Sequence, residues 1–237
     1  MGFFYNPKIV TDRFLLCLDA ASSRSYSGSG ITWNDLSKEA FNGTLTNGPV
    51  FDSGNYGSFL FDGTNDFVNF SSNTKVQFLN TAQYTLEAWV RPNANPGDAN
   101  FTGIFDRESN TVNGRDGYNM WFSGSIDTDT YFGTERFTSG TNTNVTITIP
   151  QSESVNTWNH IVATFDGSTL KLYRNGQFGD QILSNGSITN TAKVLNVGRR
   201  SSNHFNGRIA CVRIYDYSLS SDQVIQNFGA LRSRFGI

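Results

Sequence analysis

Two turn signals occur close together in the run Trp158 to Gly176, and each follows a stretch of β-branched and aromatic residues. Asp-Gly at 166–167 and Asn-Gly at 175–176 supply the left-handed backbone conformations that tight antiparallel hairpins need. Between the turns, leucine alternates with more polar residues, which is typical of a strand with one buried face. The run therefore predicts consecutive hairpins and restricts the chain to folds built on antiparallel sheets.

The composition supports one all-β domain. The chain has 237 residues with 23 Gly, 5 Pro, 14% aromatic and 16% charged residues, which suits short strands joined by polar turns. About a dozen candidate strands follow one another between Phe14 and Tyr215, the spacing expected of a two-sheet antiparallel sandwich. We expect a domain at 14–229, an N-terminal extension at 1–13 and a C-terminal tail at 230–237.

One helix is predicted near the C-terminus. Ser220 and Gln223 form a capping box, and an apolar face follows it at Val224, Ile225 and Phe228. Gly229 is expected to end or weaken this helix. The segment beyond it has two interpretations: its apolar residues fold back on the domain, or it is a docking peptide for a larger assembly. The docking residues would be Leu231, Arg232, Arg234 and Phe235.

The segment Tyr84 to Arg91 predicts a strand with two different faces. One face is apolar and consists of Tyr84, Leu86, Ala88 and Val90. The other carries Glu87, Trp89 and Arg91.

Charge and hydropathy exclude several functions. The formal net charge is −2 and the 18 Lys and Arg are scattered, so no footprint for nucleic acid or an anionic membrane is visible. The first residues lack the apolar core and cleavage site of a secretory signal, and no run is long enough to span a membrane. We therefore expect no nucleic-acid partner, no membrane insertion and no signal peptide.

The cysteines and histidines have structural interpretations. Cys17 and Cys211 lie in apolar strand-like runs, which favours two buried reduced thiols over a disulfide between the first and last strands. His160 is expected to be a buried, hydrogen-bonded framework residue, and His204 lies in a polar loop that we expect to be solvated. With no other histidine, the sequence offers no nucleophilic triad.

Several ordered blocks carry a resemblance to a known family. They are SFLFDGTNDFVNF at 58–70, YTLEAWVRP at 84–92, WNHIVATFDGSTLKLYRNG at 158–176, VLNVGRR at 194–200 and GRIACVRIYDYSLSSDQV at 207–224. Together they resemble the laminin-G-like, concanavalin-A-type jelly-roll domains. The opening PKIVTDRFLLCLDAASSRSYSGSGITWNDLS and the closing QNFGALRSRFGI are similar to stand-alone versions among structural proteins of tailed phages.

The resemblance implies an all-β, two-sheet jelly roll that binds glycans or proteins, with one enzymatic branch that cleaves β-glucans. That branch carries its carboxylates in an E-x-D-x-x-E pattern, which is absent here. Glu87 has no second acid on its face, and Glu108 lies in a segment that looks like a loop. We expect no enzyme, apart from the case of two acids brought together from separate strands.

A calcium site is the cofactor that the resemblance implies. Asp62, Asn65 and Asp66 offer oxygen ligands in a turn, but Ala210 and Cys211 stand where such relatives carry an acidic pair. The alternative is a plain turn stabilised by the aspartate side chain.

Ligand binding would use flat aromatic faces and planar polar groups. The candidates are Trp89, Arg91, Asp106, Arg107, Asn119, Trp121 and Tyr131. Each tryptophan has the alternative of lying in the core.

We predict a non-enzymatic structural protein of a virus particle that binds host-surface glycan or decorates a tail fibre or capsid exterior. The alternatives are an extracellular lectin and a β-glucan hydrolase, and exposed sheet edges make a homo-oligomer a further hypothesis.

Overall fold

The structure is a computed structural model that describes residues 7–54, 56–98, 100–111, 114–125, 128–138, 140–189 and 193–237, with 109–111 described by their backbone alone. Two antiparallel eight-stranded sheets pack face to face, which confirms the predicted jelly-roll sandwich. A two-stranded hairpin, β16 (Arg199–Arg200) with β17 (Asn203–His204), adds to them.

The first sheet contains the hairpins that the turn signals predict. Its strands are β1 (Phe14–Asp19), β4 (Val50–Asp52), β5 (Ser58–Asp62), β7 (Tyr84–Pro92), β12 (Asn159–Phe165), β13 (Thr169–Arg174), β14 (Gln177–Leu183) and β18 (Asn206–Tyr215). They run in the order β14-β13-β12-β7-β18-β5-β4, and β1 also pairs with β18. Gly167 and Asn175 have positive φ angles of 101° and 50°, as the predicted turns require.

The second sheet is formed mostly by the middle of the chain. Its strands are β2 (Thr32–Trp33), β3 (Gly43–Thr46), β6 (Phe67–Phe70), β8 (Thr102–Thr111), β9 (Gly114–Gly124), β10 (Asp129–Thr138), β11 (Thr141–Pro150) and β15 (Asn196–Val197). They run in the order β11-β10-β9-β8-β15-β6-β3-β2. A 3₁₀ turn, Thr74–Val76, and a short helix, α1 (Gln151–Ser154), connect strands.

The core lies between the sheets and follows the predicted alternation. Leu86, Ala88 and Val90 of β7 face Tyr118, Met120 and Phe122 of β9 within one buried apolar cluster. The residues between them on each strand, including Glu87 and Asn119, therefore lie on the outer faces of the sandwich.

The C-terminal helix covers the outer face of the first sheet and is longer than predicted. Helix α2 spans Ser221–Phe235, with the expected capping box at Ser220 and a left-handed cap at Gly236. The expectation that Gly229 ends it is wrong. A side chain there would crowd Pro7, whose Cγ is 3.2 Å from the position of an added Cβ. The apolar face continues to Phe235, and its burial outweighs the roughly 1 kcal/mol that a helical glycine costs.

Both ends of the described chain pack on this domain. The Val10 amide donates to Asn227 of α2 at 2.7 Å, and the Tyr215 hydroxyl donates to the Val10 carbonyl at 3.2 Å. The segments 7–13 and 230–235, expected as extension and tail, are therefore parts of the same packed unit.

Cys17 and Cys211 are buried free thiols on the adjacent strands β1 and β18. The register places Cys17 opposite Arg213 and Cys211 opposite Asp19, so the two thiols are not cross-strand partners.

Candidate functional site

A row of polar residues crosses the outer face of the second sheet, with one residue from each strand. Direct cross-strand pairing links, in order, Thr32, Thr44, Asn69, Asn196, Asp106, Asn119, Glu135 and Asn144. We call this set the polar row. Since cross-strand neighbours lie about 5 Å apart, the row is a continuous ladder of hydroxyl, amide and carboxylate groups.

Two glutamates from different strands meet beside Asn119 of the polar row. Asn119 donates through Nδ2 to Glu108 Oε2 and to Glu135 Oε2, at 2.9 Å in each case. Arg200, from the β16–β17 hairpin, contacts the same two carboxylates at 3.4 and 2.6 Å. Arg115 also pairs with Glu108. The expectation that Glu108 lies in a loop without a paired acid is therefore wrong, because β8 places it on the same face as Glu135.

Aromatic rings border these carboxylates. The indole of Trp121 lies over Gly133, where an added Cβ would be 2.1 Å from the ring. Phe101 meets Trp121 edge to face, with ring centroids 4.7 Å apart, and the Arg200 guanidinium lies 5.4 Å from the Phe101 centroid. Trp121 is buried in this packing, whereas Phe101 stays half exposed, so Phe101 is the more accessible ring.

Two pockets flank the β16–β17 hairpin and share Asn203. The first, here the charged pocket, has a volume of about 380 Å³ and is lined by Asp106, Glu108, Arg115, Lys193, Arg200, Ser201 and Asn203. The second, here the amide pocket, has a volume of about 300 Å³. Its lining includes Asn95, Asn100, Asn203, His204 and Asn206. His204, expected to be solvated, is half-buried in this wall.

Asp106 is the perturbed acid of the site. Burial raises the pKa of its carboxyl to about 6, and the neighbouring Glu108 adds to the shift, while Lys193 and backbone amides oppose it. The backbone amides of Glu108 and Ser201 lie 3.1 and 3.4 Å from its two oxygens.

Several buried polar atoms on this face have no hydrogen-bond partner among the residues that the structure describes. They are Asn119 Oδ1, Trp121 Nε1 and both amide atoms of Asn196. Buried polar groups are nearly always hydrogen-bonded, so these atoms can accept a polar ligand or solvent. Unpartnered atoms also occur on the outer face of the first sheet, at Trp89, His160 and Arg213.

The structure brings together four of the seven predicted ligand-binding residues. Asp106, Asn119, Trp121 and Tyr131 share the outer face of the second sheet, as their pairing across β8, β9 and β10 requires.

The other three predicted residues lie elsewhere, which corrects that part of the expectation. Arg107 points inward beside Tyr118, and its guanidinium donates to the Gln77 carbonyl. Trp89 and Arg91 belong to the first sheet. Trp89 is completely buried beneath α2, with its ring 4.2 Å from that of Phe235, while Arg91 donates to the Asn156 carbonyl. The core alternative therefore holds for Trp89.

The charged residues beside Trp89 form a closed buried network. Glu87 accepts from Arg213, from Tyr215 at 3.2 Å and from Asn227 at 2.7 Å, and the Nε2 atom of His160 lies 3.1 Å from its Oε1. Burial alone would raise the pKa of Glu87, but Arg213, His160 and Asn227 outweigh it and lower that pKa to about 2. His160 thus has the framework position expected of it.

The four predicted docking residues lie on α2. Phe235 is buried against Trp89 and Trp158, and Leu231 packs on the same cluster. Arg234 pairs with Asp19 at 2.9 Å and donates to the carbonyls of Tyr56 and Gly57. Arg232 remains exposed. The interpretation that the apolar residues fold back agrees with this packing, and a docking role stays a prediction.

The calcium candidates form a plain turn. Asp62 Oδ1 accepts the backbone amides of Thr64 at 2.7 Å and Asn65 at 3.2 Å, and the first of these bonds is the main cause of the lowered pKa of Asp62. The amide of Asp62 donates in turn to buried Asp66. Across the described ranges, no three His, Cys, Asp or Glu residues converge as metal ligands would. Calcium binding at this turn stays a prediction.

Sequence reasoning missed Phe101, Glu135, Arg115, Lys193 and Arg200. Glu135 had a usable signal, because Tyr131, Gly133, Glu135 and Phe137 alternate along one strand face. Arg200 lies within the block VLNVGRR, but nothing local shows that a hairpin carries it over β8.

The fold and the composition of this face define a lectin-type jelly roll. Residues 62–225 match the family described as the concanavalin A-like lectin/glucanases superfamily, and the chain belongs to that family. A search of the curated proteins finds no match. In the described part of the chain, no helix has the length and apolar character to cross a membrane.

Solved structures with the same fold include bacterial toxin domains. The binding domain of Paraclostridial Mosquitocidal Protein 1 superposes with a TM-score of 0.70 at 19% identity, covering 92% of this chain and 52% of that one. The receptor-binding domain of the botulinum neurotoxin C/D mosaic serotype gives 0.67 at 14% identity, with coverages of 92% and 51%. The binding domain of botulinum neurotoxin DC in complex with SialylT gives 0.64 at 15% identity, with coverages of 93% and 52%. The chain thus spans about half the length of these structures, and at such identities the likeness establishes the fold.

Proposed function

We propose that this chain is a non-enzymatic glycan-binding domain and that its ligand lies on the outer face of the second sheet, beside the β16–β17 hairpin. The polar row is the observation that carries the proposal. Side-chain amides and carboxylates in register offer paired hydrogen bonds to the hydroxyl groups of a sugar. The half-exposed ring of Phe101 offers an apolar face beside them.

Polar atoms able to take a further hydrogen bond are present at this location. Asn119 Oδ1, Trp121 Nε1 and the Asn196 amide have unused hydrogen-bonding capacity within the described residues. The outer face of the first sheet offers no comparable surface near Trp89, because α2 lies over it. Analogy adds to this support, since the neighbours named above are binding or receptor-binding domains and one was solved in complex with SialylT.

The pair Glu108 and Glu135 is the observation that favours a second candidate, glycoside hydrolysis. Retaining hydrolases place two carboxyl groups about 5 Å apart, and one of them must donate a proton. Here each carboxylate is already engaged by Arg200 and Asn119, so its oxygens are committed to partners within the protein. We therefore propose binding without bond cleavage.

The biological setting that we propose is a virus particle. The support is the similarity of the opening and closing segments to phage structural proteins, and it leads to two roles. In the first, the domain is an adhesin on a tail fibre or capsid exterior that contacts host glycan. In the second, it decorates the particle. An extracellular lectin of a cell is the alternative setting.

Glycan-array binding by the purified protein tests the ligand proposal. We expect retention of at least one bacterial-envelope polysaccharide, with loss of that signal in Asn119→Ala. Lys171→Ala, on the first sheet, is the control and should bind normally. Absence of any retained glycan would contradict the proposal. Release of reducing ends that disappears in Glu108→Gln would favour hydrolysis instead. Antibody labelling of intact particles separates the two particle roles from the cellular one.

A further inference from the structure

The charged pocket contains one cation that is not committed to a protein partner. Arg115 pairs with Glu108, and Arg200 pairs with Glu108 and Glu135. Lys193, by contrast, makes no hydrogen bond or ion pair with the residues that the structure describes, although it is only half exposed. An ammonium group beside an open pocket is a point charge available to an anion.

Asp106 is the group that competes with such an anion. It lies at the base of the same pocket and is only 2% exposed. Its nearest hydrogen bonds come from two backbone amides rather than from a cation. Its cross-strand neighbour Asn196, 1% exposed, has both amide atoms unpartnered among the described residues.

The charged and titratable groups around Asp106 come from four elements. Glu108 lies on its own strand, Lys193 precedes β15, Arg199 begins the hairpin and Tyr118 approaches from β9. Arg115 and Arg200 line the same pocket. The lining of the pocket holds three cations, Arg115, Lys193 and Arg200, and two carboxylates, Asp106 and Glu108. Glu108 and Glu135 pair with Arg115 and Arg200, so an ionised Asp106 is the carboxylate that offsets Lys193. With Asp106 neutral, the positive charge of Lys193 is no longer offset by that carboxylate.

We propose that the charged pocket binds the acidic group of an anionic saccharide, with Lys193 as the counter-charge and Asp106 neutral in the complex. This inference rests on the proposed glycan-binding function and adds the class of sugar and its regulation by pH. A uronate carboxylate and a sulfate ester both supply anionic oxygens that an ammonium group can bind.

The direction of the pH dependence follows from linkage. The pKa of Asp106 is raised to about 6 in the free protein, and a bound anion raises it further, so protonation and binding favour each other. If the protein binds the anion only when Asp106 is protonated, its apparent affinity is proportional to the protonated fraction. Binding should then strengthen roughly tenfold to thirtyfold from pH 7.5 to pH 5. A neutral saccharide should show little change.

Calorimetric titration of matched ligand pairs tests this. One arm compares an oligogalacturonate with its methyl ester, and the other compares a sulfated galactan oligosaccharide with its desulfated parent. We expect the acidic member of at least one pair to bind at least tenfold more tightly at pH 5 than it does at pH 7.5. Asp106→Asn should bind that ligand tightly at both pH values, and Lys193→Ala should lose the preference for the acidic member. Lys171→Ala should behave as the wild type.

Each contrary outcome has a distinct meaning. Equal binding of acidic and neutral members would overturn this inference and leave glycan binding intact. Binding that weakens towards pH 5, or an Asp106→Asn variant that keeps the wild-type pH profile, would overturn it as well. If neither member of either pair binds, the anionic-sugar inference is overturned. The polysaccharide array then tests the proposed glycan-binding function independently.

Discussion

The two outer faces of the sandwich carry similar groups with different consequences. Each has glutamate, arginine and asparagine in contact: Glu87, Arg213 and Asn227 on the first sheet, and Glu108, Arg200 and Asn119 on the second. Helix α2 closes the first set, whereas Glu108 and Arg200 of the second set line the charged pocket. The cover decides whether such groups stabilise the fold or remain available to a ligand.

Two acids show this difference in opposite pKa shifts. Both are buried, which by itself raises the pKa of a carboxyl group. Glu87 has an arginine and several hydrogen-bond donors that outweigh burial, and its pKa falls to about 2. Asp106 has a neighbouring carboxylate and, among the described residues, no arginine within ion-pair distance, and its pKa rises to about 6.

Removing an arginine from each face should give the largest contrast. Arg213→Ala leaves Glu87 buried without its counter-charge, and we expect a loss of about 3–5 kcal/mol in the free energy of unfolding. Arg200→Ala, at the edge of an open pocket, should cost less, about 1–3 kcal/mol. Urea unfolding measures both. Similar losses would mean that the faces are energetically equivalent.

The packing of α2 on the first sheet can be weakened at Phe235, the last buried residue of the helix. Phe235→Ala removes the ring that stacks on Trp89, and we expect a loss of about 3 kcal/mol together with a red shift of tryptophan fluorescence. Ile237→Ala, at an exposed position, is the control and should change stability by less than about 0.5 kcal/mol. If Arg232→Ala, also exposed, abolished incorporation into particles without changing stability, the docking role of this segment would be supported. An unchanged fluorescence spectrum in Phe235→Ala would contradict the packing of α2.

Acid should destabilise the protein by protonating Glu87, which lies beneath α2 on the first sheet. Because the folded pKa of Glu87 lies near 2 and its ordinary value is 4.5, its contribution is complete above about pH 4.5 and is lost as pH falls towards 2. The difference corresponds to about 3 kcal/mol. Chemical unfolding at several pH values measures this slope. The slope should flatten in Glu87→Gln, and an unchanged slope in that variant would assign the acid sensitivity to other groups.

The smallest effect on stability and the clearest effect on binding are expected at the second face. Glu135→Gln removes one charge that Arg200 and Asn119 contact, and we expect roughly tenfold weaker glycan binding with stability within about 1 kcal/mol of wild type. Asp180→Asn, on the exposed edge strand β14, makes the same chemical change away from the site and should have no effect on binding. Equal loss in both variants would point to a general effect of charge.

The sequence alone determined the architecture and part of the candidate site. Turn residues and two-residue alternation act locally, so the hairpins of β12 to β14, the two faces of β7 and the outward position of Asn119 and Trp121 were predictable. Local pattern also placed the start of α2, since a capping box needs only neighbouring residues.

Tertiary structure decided which outward residues meet and which are covered. Trp89 and Trp121 have the same alternating pattern, yet only Trp89 lies beneath α2, because the helix that buries it is far away in the chain. The meeting of Glu108, Glu135 and Arg200 likewise depends on strand order and on a distant hairpin. Periodicity specifies the side of a strand on which a residue lies, while packing between remote segments decides what occupies the space above it.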